Sequence, residues 1–316
     1  MIIILELLLC YLCICLSHSL LAQKPATTLE LYVDNDFFSI GNRTDRYYTN
    51  GLRMAINYTK ENDRNRFPDN LLIKYKEDKA IRYSWGLSQA MFTPENIEKD
   101  RLEEGDWPYA GGLFVSHEAY SQHPEKNTKI RSGFLLGVLG PWSLAEETQI
   151  WFHELPNDPR PNGWDWQIDN YPIINYHLFY ETRLLKRKFV ETRGLVGGAV
   201  GSLINQFNLG VRSRLPLFKR SKFDFSFFQR TNGGYTVYNA YLEGGFWDRQ
   251  RYERGISRGY RLSSEEINRF YLESQIGVAL KYKDWSVAFS QKFRTSQVEG
   301  SSSHQVGNIT VQIPID

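Results

Sequence analysis

The sequence predicts an all-β fold: a membrane-spanning antiparallel β-barrel of about twelve strands, with a short helix in one outer loop. Three observations predict it. Apolar residues alternate with polar or small ones over segments of about 9–12 residues, longer than soluble strands and matched to a tilted bilayer span. After the N-terminal segment, no stretch reaches about 18 unbroken apolar residues, so no further helix is available as a crossing element. Aromatic residues make up 15% of the chain, which suits girdles at the two bilayer interfaces.

In chain order, residues 1–22 read as a signal peptide, with Ser19-Leu-Leu-Ala22 before Gln23 as the cleavage site. An apolar segment of this length also suits a membrane-anchoring helix. Residues 23–316 then form one outer-membrane barrel domain, without repeat or linker. Cys10, Cys13 and Cys15 all precede the cleavage point. A mature chain without cysteine excludes a disulfide framework, a thiolate metal site and a cysteine nucleophile. The net charge of +2 gives no electrostatic footprint for nucleic acid. No obligate protein partner is inferred.

The strands are expected at 29–35, 51–58, 81–92, 109–120, 130–140, 171–184, 189–201, 207–217, 238–246, 270–281, 285–294 and 309–315. The alternation is cleanest in the tenth, where Phe270, Leu272, Ser274, Ile276, Val278 and Leu280 share one face. Residues 222–228 also look strand-like but are read as part of a long connection, because counting them makes the number odd. With both termini at the periplasmic end, the connections 36–49, 93–108, 141–170 and 248–268 gather at the outer rim. The long 60–79 connection, on the inner side, breaks the expected rule of short inner turns.

Within the outer loop, Ser143 to His153 reads as a helix, with Ser143 and Glu146 as a capping box. Gln149 and His153 then lie one turn apart on one face. A second polar cluster, Asp34-Asn35-Asp36, ends the first strand. By itself it is ordinary turn chemistry, and a lone loop histidine is by itself an ordinary polar residue. Together they suit ester hydrolysis. His153 can serve as the base for water. Oxygen donors such as Asp36 and Asp158 favour Ca2+ over Zn2+ as the group that stabilises an oxyanion. Gln149 could orient water or the ester, and Asn35 and Thr49 could tie the first strand to the second. Lys99, Arg101, Arg254 and Arg258 are candidates for substrate phosphates. Gly255-Ile-Ser-Arg-Gly259 matches a nucleophile-elbow pattern but lacks its strand–turn–helix context.

Several pieces, in this order, resemble the outer-membrane lipid A 3′-O-deacylases. They are Val33-Asp-Asn-Asp36, Asp45-Arg-Tyr-Tyr-Thr-Asn-Gly51, Phe92-Thr-Pro94, Asp106-Trp-Pro-Tyr-Ala-Gly111, Gly137-Val-Leu-Gly-Pro141, Gln149-x-x-x-His153 and Gly163-Trp-Asp-Trp-Gln167. The resemblance implies a twelve-stranded barrel and a calcium-dependent esterase whose site lies between the barrel wall and an outer-loop helix. Its substrate would be lipid A of lipopolysaccharide, among the lipids of the bacterial outer membrane, with the site facing outward. Asn35, Asp36, Thr49, Gln149 and His153 match the family's functional positions. The family's glutamate after the histidine is absent. Pro159 stands at about that point, with Asp158 beside it and Glu154 nearer the histidine. A passive pore or adhesin, and an outer-membrane phospholipase, are the other classes compatible with such a barrel.

Overall fold

A computed structural model describes residues 27–40, 47–62, 66–99, 105–154, 159–246, 254 and 259–315, except for the side chains of Phe37 and Thr49. The expected signal peptide lies outside the described residues. Among those described, twelve antiparallel strands close into a barrel, each paired with its chain neighbours and β1 with β12. They are β1 (Thr28–Asn35), β2 (Tyr47–Glu61), β3 (Ala80–Thr93), β4 (Ala110–Gln122), β5 (Thr128–Leu139), β6 (Tyr171–Arg187), β7 (Val190–Gly201), β8 (Ile204–Arg220), β9 (Phe223–Asn239), β10 (Phe270–Tyr282), β11 (Trp285–Arg294) and β12 (His304–Pro314). Closure leaves no unpaired edge, the condition a sheet must meet in hydrocarbon.

Alternation decides what faces where. On β10, the face carrying Phe270, Leu272, Ile276, Val278 and Leu280 is exposed, while Tyr271 and Glu273 of the other face turn into the lumen, toward Arg294. Phe207, Leu209 and Val211 of β8 and Val237 of β9 extend the same apolar belt. The lumen is filled by ion pairs, including Arg53 with Glu30 at 2.6 Å, Lys292 with Asp34 at 2.7 Å and Arg212 with Glu181 at 2.9 Å. Arg131 stacks over Phe179 between them.

One strand is displaced from its expected place. Residues 223–228 begin β9 rather than belonging to a connection, and of 238–246 only Tyr238 and Asn239 are strand, the end of β9. β8 and β9 form one long hairpin through the turn at Ser221-Lys222. Asn239 ends it: its side chain accepts from the Tyr241 main-chain N–H and caps a single helical turn, Ala240–Glu243. That turn places Ala240 and Leu242 in a fully buried plug at the mouth. The apolar alternation there reports burial in the plug and not a strand.

Two ends follow. At one, two-residue turns join β6 to β7, β8 to β9 and β10 to β11. At the other, the long connections pack into a lid-like core of Tyr47, Trp107, Leu242, Tyr260, Leu262 and Val298. The helix lies at this second end and is called α1 (Ala145–Glu154).

Candidate active site

Helix α1 rests on the outer wall of the barrel, not in its mouth. Outward residues of β3 include Trp85 and Leu87, so Gln89 and Met91 point outward as well. The Gln89 amide donates to the Ser143 carbonyl at 2.7 Å. Met91 packs with Tyr109, Ala145 and Trp164. On β4, Gly111 lies beside Met91 in register. A Cβ on Gly111 would sit 2.3 Å from the Ala145 Cβ and from the Ser143 Oγ. Only glycine lets the helix seat this closely.

The start of α1 differs from the expected capping box. A short 3-10 turn, Pro141–Ser143, comes first, and Leu144 then takes a left-handed φ of 57°. That kink separates Ser143 from the helix. The Ser143 hydroxyl is buried without a hydrogen-bond partner, and the Leu144 carbonyl accepts the first helical bond, from Thr148. Burial raises the Glu146 carboxyl, with Glu147 and Asp165 adding repulsion.

The buried face of α1 carries Ala145, Gln149 and His153, as the four-residue spacing dictates. Gln149 is 1% exposed. Its Oε1 accepts from the Trp164 indole at 2.8 Å, and its Nε2 is buried with no hydrogen-bond partner. His153 is 9% exposed, and its Nδ1 lies 2.7 Å from the Pro159 carbonyl. A carbonyl only accepts, so Nδ1 carries the proton. The neutral imidazole then holds its lone pair on Nε2, the arrangement a general base needs.

A row of outward positions crosses six strands at this level. In register it runs Gln291, Gly307, Asn35, Asn50, Met91, Gly111. One end is covered by residues 36–40, which fold over β11 and β12: Gln291 bonds to the Phe38 carbonyl and the Ile40 N–H. The other end is covered by α1, which contacts both β4 and β3. Asn35 of β1 and Asn50 of β2 lie between the two covers in register. Asp36 is buried at the start of the first cover.

Asn50 is a residue that the sequence presents only as turn chemistry. It is 4% exposed, and its Oδ1 has no hydrogen-bond partner. The signal lies in the bulge: the β2–β3 register shifts between Tyr48 and Asn50. The shift turns Tyr48 inward, against Phe92, while Asn50 keeps the outward phase of Leu52 and Met54. Thr49 is the bulged residue. Trp164, of the Gly163–Gln167 motif, is 1% exposed, and its indole holds Gln149. Asp106 accepts from the Glu95 and Trp107 N–H groups, at 2.8 and 2.7 Å, and burial raises its carboxyl. It thereby fixes the 94–109 connection. That connection is in turn tied to the helix loop through Asn162 and Ile97, and through Tyr109 and Ile168.

The family model for outer membrane protein LpxR matches residues 7–315. The chain belongs to the LpxR family. This is the lipid A 3′-O-deacylase family that the ordered motifs resemble, and it places the chain in the outer membrane. The fold is similar to that of LpxR from Salmonella typhimurium, with a TM-score of 0.72 at 17% identity, covering 91% of this chain and 100% of that chain. The β domain of the Bordetella autotransporter BrkA aligns over 92% of this chain and 98% of its own, at TM-score 0.48 and 9% identity. The KdgM porin aligns over 92% and 99%, at 0.40 and 8%. No curated protein sequence matches the chain.

Against the LpxR fold, the remaining candidates separate. Lys99 is half-buried and close enough to Asp106 to lower its carboxyl against the effect of burial. Arg254 is exposed. Arg101, Asp158 and Arg258 lie outside the described residues, as does the serine of the Gly255–Gly259 pattern. The oxygens at and beside the row suit a hard cation: the Asp36 carboxylate, just past Asn35, and the orphaned Asn50 Oδ1 are both buried. Among the described residues no three His, Cys, Asp or Glu side chains cluster as a metal cage, so Ca2+ would also need amide or main-chain oxygens.

Proposed function

We propose that this chain is an outer-membrane esterase that removes the 3′-linked acyl group or groups of lipid A, with its site facing outward. The observation that carries this reading is the buried pair on α1. A tautomer-fixed histidine and a glutamine with an unpartnered donor face the lipid-facing wall, where an amphiphile in the bilayer can reach them without entering the filled lumen.

His153 Nε2 takes a proton from water as the oxygen attacks the ester carbonyl. Gln149 Nε2 is the donor available to the developing oxyanion. The imidazolium then returns the proton to the departing 3′ oxygen, leaving a free fatty acid and a 3′ hydroxyl. Asn35, in register with Asn50, ties β1 to β2 beneath the substrate. Asp36 and Asn50, with Asp158, would hold Ca2+, which when bound supplies Lewis-acid stabilisation of the oxyanion. Lys99, Arg101, Arg254 and Arg258 are assigned to the substrate phosphates.

The test is mass spectrometry of lipid A from cells with and without the protein, with calcium present or chelated. Loss of the 3′-linked acyl mass only when both protein and calcium are present is the expected result. An unchanged lipid A profile would overturn the reading.

A further inference from the structure

At the end of the barrel opposite the site, one connection is neither short nor free-standing. Residues 66–79, between β2 and β3, fold back along the outside of the barrel. Trp85 and its register partner His117 fix the direction: Trp85 stands in the exposed belt, and the two rings stack 4.2 Å apart, so His117 also points outward. His117 Nε2 lies 2.9 Å from Asp69 of the connection, whose other carboxylate oxygen holds Lys60 at 2.6 Å. Further along, the Ile73 carbonyl accepts from the Ser132 hydroxyl at 2.8 Å, and the Tyr75 N–H donates to the Ser121 hydroxyl at 3.0 Å. Tyr75 and Thr128 share a bond of 2.8 Å. The strap thus spans the outward faces of β4 and β5.

Its two sides differ in chemistry. The wall side satisfies main-chain groups and buries the Asp69 ion pairs. The far side exposes Phe67 at 79%, with Leu71 and Ile73. Arg66, Lys76 and Lys79 are exposed at its ends, with the exposed Glu77 between the two lysines leaving the flanks net basic. A segment in hydrocarbon must satisfy its polar groups internally, and an interfacial segment combines apolar tips with basic flanks.

We propose that residues 66–79 are a lipid-embedded anchor, with Phe67, Leu71 and Ile73 among the acyl chains and the basic flanks at the phosphates of the phospholipid leaflet. The apolar tips continue the belt that already meets the bilayer. The choice of leaflet rests on the outward-facing site proposed above; the insertion itself does not.

The experiment uses the full chain with Cys10, Cys13 and Cys15 changed to Ser. Single cysteines are introduced as Phe67→Cys, Ile73→Cys, Leu272→Cys in the belt and Glu125→Cys in an exposed turn. Each is labelled with an environment-sensitive fluorophore and reconstituted in phosphatidylethanolamine–phosphatidylglycerol vesicles containing acyl-brominated lipid. Folding is checked by heat-modifiable gel migration, and Leu71→Cys replaces any strap variant that does not fold. Quenching at 67 and 73 should come within about twofold of that at 272 and far exceed that at 125. Quenching at 67 and 73 no greater than at 125 would overturn the anchor. Lipid A turnover by the same samples separates the two readings. Active protein with unquenched strap labels overturns the anchor alone; inactive protein with quenched labels overturns the deacylase reading alone.

Discussion

Two walls of one barrel obey the same alternation and end up with different surfaces. Along β8 to β10, outward positions carry Phe207, Leu209, Val211, Val237 and Leu272, all exposed. Along β1 to β4, at the site end, the outward positions are Asn35, Asn50, Met91 and Gly111, and protein covers much of them. The bare wall has only to be apolar. The covered wall has to be small where a helix seats, as at Gly111, and polar where the seat stops. Alternation fixes the direction in which a side chain points; it does not say whether lipid or another piece of the same chain will meet it.

The strongest way to break this contrast is to disable the chemistry on the covered wall while leaving the barrel intact. His153→Ala should lower lipid A deacylation by roughly 10²–10⁴-fold, with heat-modifiable migration unchanged, because a loop side chain contributes little to strand pairing. A folded His153→Ala protein that turns over lipid A at the normal rate would remove the base. Chelation should have a comparable effect, reversed by calcium better than by zinc. Asp36→Ala should raise the calcium concentration needed for activity, and so should Asp158→Ala if it replaces the family's glutamate. An unchanged calcium requirement in Asp158→Ala points to Glu154 or a main-chain carbonyl.

How much of this was legible in the sequence differs between the two walls. The belt on β10 was readable residue by residue, because lipid imposes a simple rule on every outward position. β9 was misplaced because Ala240 and Leu242 keep the alternating pattern for a different reason, burial in the plug. The pairing of Gln149 with His153 followed from helical spacing alone. Asn50 did not show, because it keeps the outward phase of Met54 and Ile56 and what covers it comes from distant parts of the chain; the bulge before it exchanges the faces only for Tyr48. In the sequence Gly111 is only the end of the Asp106–Gly111 motif, since a glycine in a strand does not announce what approaches it.

That seat sharpens the contrast by position rather than by chemistry. Gly111→Val puts methyl groups where Ala145 and Ser143 already stand. It should displace α1 and cost roughly 10²-fold in activity, as misplacement of catalytic groups does, with the barrel still folded. Leu272→Ala on the bare wall should leave turnover unchanged. Equal losses in the two variants would mean that activity tracks general barrel stability and not the seating of α1.

The smallest expected effect is also the most specific. Trp164→Phe keeps a ring against Met91, Tyr109 and Ala145 but removes the indole N–H that holds Gln149. The Gln149 Oε1 is then left buried without its donor, at a cost of about 1 kcal/mol. If that bond aims Nε2 at the oxyanion, the loss appears in kcat, about fivefold, with little change in KM, because the interaction forms in the transition state and not on binding. Gln149→Leu, which removes the donor itself, should lose about 10²-fold in the same parameter, and adding Trp164→Phe to it should change nothing further. A Trp164→Phe defect that persists undiminished in the Gln149→Leu background would assign Trp164 to packing under α1 and take the oxyanion role away from the pair.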